Sequence, residues 1–294
     1  MRGESKERPD SSVTALNNRR ISSDLIESAV ELGVSAAAWI EPAGSAVGDG
    51  LWVNRRQAFM NDPEDITERL TRQLDRVAAL REAAVNDSKL DAARQRLRAW
   101  QAVRLARTHA ELLANPRMGL AASFFLTDIY GAEDLSKLDA NVQRVVPTMK
   151  RVLPAAGLEI VAESIELEAL SEDLDFATAT ALGAEANNLS AATYGAAYRK
   201  VDRRAERERQ IDLIENLGQS LDRLVHKPLV GTTLSLMRKP AQLAGLAELQ
   251  DFLHRGYKAF IKMGDVHEFL DLVVGRERKL LEALFDGDDS LLGV

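Results

Sequence analysis

The segment Leu246-Ala247-Glu248-Leu249-Gln250-Asp251-Phe252-Leu253-His254-Arg255-Gly256-Tyr257-Lys258-Ala259-Phe260-Ile261-Lys262-Met263 decides the fold class. Leu246, Leu249, Leu253, Gly256, Phe260 and Met263 fall at alternating steps of three and four, the spacing that lines one face of an α-helix. Phe269, Leu270, Val273, Leu280, Leu281 and Leu284 repeat the pattern immediately downstream, behind Asp265 as a helix cap. Strand-like alternation does not compete with it for six residues anywhere in the chain. The spacing predicts an all-α helical bundle of about eight helices.

Working outward, the same logic divides the rest of the chain. Asp62-Pro63-Glu64-Asp65 has a capping acid, a proline at the first helical position and acids suited to the helix dipole. It predicts a helix running to about Val85. Ser88, with Asp91 three residues on, predicts a second helix ending before Pro116. Ala99, Val103, Ala106, Ala110 and Leu113 are its expected apolar face. Further helices are expected over Pro116 to Tyr130, Ser136 to Pro154 with a kink at Pro147, Leu158 to Leu182, and Ser190 unbroken to Val225.

Residues 1–61 read as an N-terminal extension: a charged, Ser- and Asn-rich tail, a short apolar helix over Ser23 to Ile40, and a Gly/Pro/Ser linker over 41–50. The expected helical domain is 62–287, with 288–294 as a flexible end. Deletion of 1–61 should therefore leave thermal unfolding nearly unchanged, which differential scanning calorimetry checks; an unfolded product would move the boundary.

Composition excludes several classes of function. With no cysteine among 294 residues, disulfides, zinc–thiolate and iron–sulfur sites and thiol catalysis are ruled out. The first residues lack the apolar core of a signal peptide, and no apolar run reaches membrane-spanning length, so a cytoplasmic protein without membrane association is expected. A net charge of −7 gives no general attraction to nucleic acid or anionic lipid, although local patches can still matter.

Phe124-Phe125-Leu126-Thr127-Asp128-Ile129-Tyr130-Gly131 resembles the signature of a bacterial protein family named for a Phe-Phe-Leu-Glu-Glu-Leu-Tyr motif and defined by a domain of unknown function. His109 to Leu113, Pro116-Arg117, Arg144 to Pro147, Arg238 to Ala241, Leu249 to Leu253 and Arg276-Glu277 are similar too, so the likeness covers about residues 88–287. Thr127, Asp128 and Ile129 depart from the signature. The resemblance implies an all-helical fold and no established activity. Phe124, Phe125, Leu126, Asp128, Tyr130 and Gly131 read either as a core helix end or as the wall of a ligand cavity.

Chemistry-bearing spacings are sparse. Di-iron bundles need paired Glu-x-x-His, and the nearest approach is the single Asp251-x-x-His254. There is no serine elbow and no phosphate loop, so no cofactor is expected and no reaction is assigned. Arg94, Arg96, Arg98, Arg104 and Arg107 read as spread over several faces, and Arg199 to Arg209 as a solvated mixed run, which disfavours nucleic-acid binding. Glu277 stands out because it lies on the apolar line Val266, Leu270, Val273, Leu280, Leu284. A buried carboxylate there requires a cation, with Arg104 or Arg107 expected. The favoured role is a non-enzymatic module that binds another protein or itself; the alternative is a small-ligand-binding bundle, possibly an enzyme.

Overall fold

A computed structural model describes residues 63–126 and 155–293. The N-terminal extension, Asp62, Asp128, Tyr130, Gly131 and the helix expected after Ser136 lie outside the described residues. Among the described residues there are eleven α-helices and no strand, and eight of the helices are seven residues or longer. The fold is the all-α bundle that the helical spacing predicts.

In chain order the helices are α1 (Pro63–Asn86), α2 (Ser88–Thr108), α3 (Ala110–Ala114), α4 (Gly119–Phe124), α5 (Ala155–Leu182), α6 (Ala191–Val201), α7 (Arg204–Val225), α8 (Val230–Leu236), α9 (Arg238–Leu243), α10 (Ala247–Met263) and α11 (His267–Asp286). Helix α5 is the spine, packed by α1, α2, α6 and α7. It carries Glu159, Glu163, Glu166, Glu168, Glu172, Asp173 and Asp175 and no basic residue. Such a helix repels itself unless its neighbours bring cations, and they do. Arg69 of α1 reaches Glu159 at 2.6 Å, Arg81 reaches Glu168 at 2.5 Å, and Arg209 of α7 reaches Glu166 at 2.7 Å. Apolar contacts lie between these pairs, with Leu70 and Leu74 against Ile165 and Leu167, Leu170 and Leu174 against Leu213, Ile214 and Leu217.

Helix α11 joins two apolar cores. Its first half places Phe269 and Leu270 with Phe124, Phe260 and Met263, and its second half places Leu280 and Leu284 with Leu97, Tyr194 and Tyr198. In α10, Phe260 and Met263 are buried as the spacing requires, and Gly256 leaves room for the Phe124 ring, which a Cβ would meet at 3.0 Å. Leu253 departs from the pattern and is exposed.

Four expectations are corrected. The second helix starts at Ser88 as expected, with the Asp87 carboxylate accepting from the amides of Lys89 and Leu90, but it stops at Thr108, with α3 following. Its expected apolar face points the other way: Ala99, Val103 and Ala110 are exposed, while Arg94 and Arg104 are buried. An alanine stripe has little area to hide, so pairing with the carboxylates of α5 and α11 outweighs it. The helix from Ser190 breaks at Asp202, which adopts a left-handed φ of 49°. The next residue, Arg203, then reaches Asp173 at 2.8 Å.

Residues 288–293 form a docked end rather than a flexible one. Asp289 receives Arg199 at 2.7 Å, and Leu292 is fully buried in a short 3-10 turn. Replacing Leu292 with alanine should lower stability by about 2–4 kcal/mol, readable in urea denaturation. An unchanged midpoint would mean that this turn adds nothing to the core.

Candidate functional site

Helix α2 sends Arg94, Arg98, Gln101 and Arg104 inward at steps of four, three and three. That spacing makes one stripe, which gathers three of the five arginines that the sequence reads as spread over several faces. Of the same run, Arg96 and Arg107 stay exposed. Two ionic clusters form on the stripe.

The first is centred on Glu172 of α5, which is 3% exposed. Arg94 pairs with its Oε2. Arg98 and Arg81 donate to Oε1 at 3.1 and 3.2 Å. Three guanidinium groups from two helices therefore share one carboxylate, with Glu168 and Asp91 offsetting the surplus. Close by, Gln101 donates to Asp175 at 3.1 Å. Burial pushes the Asp175 carboxyl above its ordinary pKa, while Arg207 and the Gln101 bond work against that shift. Arg207 lies over the Tyr198 ring at 4.6 Å and donates to Thr178 at 2.9 Å.

The second cluster sits where α11 passes from one apolar core to the other. Arg104 Nη1 donates to both oxygens of Glu277, at 2.6 and 2.9 Å. His109, at the break between α2 and α3, places Nε2 3.2 Å from Glu277 Oε1. An ionised carboxylate only accepts, so Nε2 carries the proton. Burial by itself would raise the pKa of Glu277; the charge of Arg104 and the bonds from His109 and Arg104 outweigh it and hold the group at about 2. The structure does not bring Arg107 to this site; it donates to the Gly293 carbonyl at 3.4 Å.

The chemistry available to these groups is limited. A carboxylate held at about 2 by two donors is a poor proton acceptor near neutral pH, because efficient acid–base groups titrate close to the working pH. Among the described residues there is no group of three His, Asp or Glu side chains arranged to hold a metal ion. The clusters act as electrostatic struts between α2, α5 and α11.

The aromatic motif is visible over Phe124, Phe125 and Leu126. Phe124 packs on Phe252 with ring centroids 5.2 Å apart, and Phe125 stacks on Phe269 at 5.6 Å. Leu126 is half-buried at the end of this segment. These rings fill the interior between α4, α10 and α11.

Sequence reasoning missed Glu172. Its signal was present: seven acids without one base on a helix rich in leucine and isoleucine require cations from elsewhere. The stripe Arg94, Arg98, Gln101, Arg104 was the matching half.

No helix among the described residues is long and apolar enough to cross a membrane. No curated protein matches the chain. No solved structure matches it either. A family model does match, over residues 80–291, which takes in everything from the end of α1 through α11. The chain belongs to the family described as Domain of unknown function (DUF8198).

Proposed function

We propose that this protein is a non-enzymatic helical interaction module, acting through its surface on another protein or on a second copy of itself. One observation carries the reading: the carboxylates at the centre of the two interior clusters are neutralised by arginine, while large apolar side chains face solvent. Glu172 and Glu277, the deepest carboxylates of the two clusters, are each held by arginine. Leu229, Leu236 and Leu243 are 59%, 45% and 87% exposed, where a chain acting alone would gain by hiding them. The likeness to the Phe-Phe-Leu-Glu-Glu-Leu-Tyr family supports a helical protein and adds no reaction. The rings of Phe124 and Phe125 pack on other rings, which favours a core role over a ligand wall.

Native mass spectrometry with light scattering tests the proposal. An apo chain that self-associates, or that co-purifies with a protein partner, is the expected result. A stoichiometric small molecule or metal would sink the proposal in favour of a ligand-binding bundle.

A further inference from the structure

The charge of the chain is unevenly placed. Residues 223–263 hold seven Lys and Arg against two acids, Glu248 and Asp251, in a protein whose net charge is −7. This segment is the end of α7 with α8, α9 and α10. Lys227, Arg238, Lys239, Lys258 and Lys262 have no carboxylate partner among the described residues. Elsewhere ion pairs are frequent: Arg69, Arg81, Arg94, Arg104, Arg209 and Arg278 are each tied to an acid.

The exposed leucines occupy the same segment. Helices α8 and α9 follow one another almost without a break, since the Met237 amide bonds the Thr233 carbonyl and the Ala241 amide bonds the Met237 carbonyl. Leu229 just before α8, Leu236 at its end and Leu243 at the end of α9 make a row of three exposed leucines along this part of the chain. Val230 and Ala241, on the opposite side, are buried toward α10. Leu229 is held at a left-handed φ of 71°, a strained conformation for a leucine, and its side chain remains outside. On the outward side of α10, Lys258 and Lys262 flank the exposed Ile261.

A row of exposed leucines with unneutralised cations in the same segment matches the interfacial region of a bilayer that carries negative lipid. We infer that the α8–α10 face docks on an anionic lipid surface, with Leu229, Leu236 and Leu243 entering the headgroup boundary and Lys239, Lys258 and Lys262 meeting the lipid charge. Nucleic acid is disfavoured because the row offers leucines where base stacking needs aromatics. This inference goes beyond the interaction-module reading, which names protein partners, and gives the same leucines a lipid surface to meet.

The test uses the full chain with vesicles of phosphatidylcholine alone, or of phosphatidylcholine and phosphatidylserine in equal parts. Co-sedimentation with the anionic vesicles only, reversed by high salt, is expected. The pairs Leu236→Asp with Leu243→Asp, and Lys258→Glu with Lys262→Glu, change exposed positions and should keep the wild-type melting temperature. Each pair should weaken vesicle binding at least about tenfold. Absence of vesicle binding, equal binding to neutral vesicles, or unchanged binding by both pairs overturns the inference, as does retention on heparin without vesicle binding. If vesicles fail while the leucine pair alters the mass seen by light scattering, the lipid surface is wrong and the interaction module stands. If neither vesicles nor self-association nor a protein partner is found, both fall.

Discussion

Replacing Glu172 with alanine should be among the most damaging single changes in the bundle, lowering stability by about 3–5 kcal/mol. The reason is the charge left behind. Arg94 is buried, and the Arg81 and Arg98 side chains are only 13% and 15% exposed. Without the carboxylate, three guanidinium groups face one another with Glu168 and Asp91 as the nearest acids. Urea denaturation measures the loss. A second variant separates charge from packing: Glu172→Leu combined with Arg94→Leu and Arg98→Leu should recover a substantial part of it, because a well-packed apolar set can replace a buried ionic one. If the single alanine variant unfolds at the wild-type midpoint, the spine is not held by this cluster.

The second large effect concerns Glu277 and acid. Glutamine at this position leaves Arg104, 7% exposed, without a counter-charge, at a cost again of about 3–5 kcal/mol near neutral pH. The native carboxyl sits at about 2 against an ordinary 4.5. A depressed carboxyl contributes stability above the ordinary value and loses it as the pH falls from 4.5 through about 2. The shift corresponds to about 3 kcal/mol, on the scale of roughly 1.4 kcal/mol per unit. Wild-type stability should therefore fall steeply over that window, and the glutamine variant should fall less, so the two curves converge in acid. Parallel curves from pH 7 to pH 2 would remove Glu277 as the titrating group. His109, which donates to the same oxygen, should cost less when replaced, since Arg104 still spans both carboxylate oxygens.

Both predictions concern struts that hold helices in place, and neither needs a substrate. That is consistent with the module proposed above, whose working parts lie outside. In its interior the bundle uses arginine–carboxylate pairs where many bundles use leucine. These pairs fix which helix faces which, because a guanidinium fork satisfies a carboxylate only in a narrow geometry.

The sequence by itself determined α10 and α11 and where α6 begins. Apolar side chains at steps of three and four in α10 and α11 gain burial only as helices, and Ser190 and Asp265 mark starts through side-chain oxygens that accept from free amides. It also isolated Glu277, because one charge on an apolar line is a local contradiction readable without neighbours. Only the tertiary structure decided that its cation is Arg104 and not Arg107, three residues away on another side of α2. It alone turned α2 over, buried Arg94 against Glu172, broke the chain at Asp202 and docked Leu292. It also left lysines without a carboxylate partner among the described residues, and leucines exposed, in the segment from α8 to α10 of an acidic protein. The physical reason is range. Periodicity and caps act within a few residues, so one stretch of sequence reveals them, whereas a buried ion pair is settled by which distant helix supplies the opposite charge.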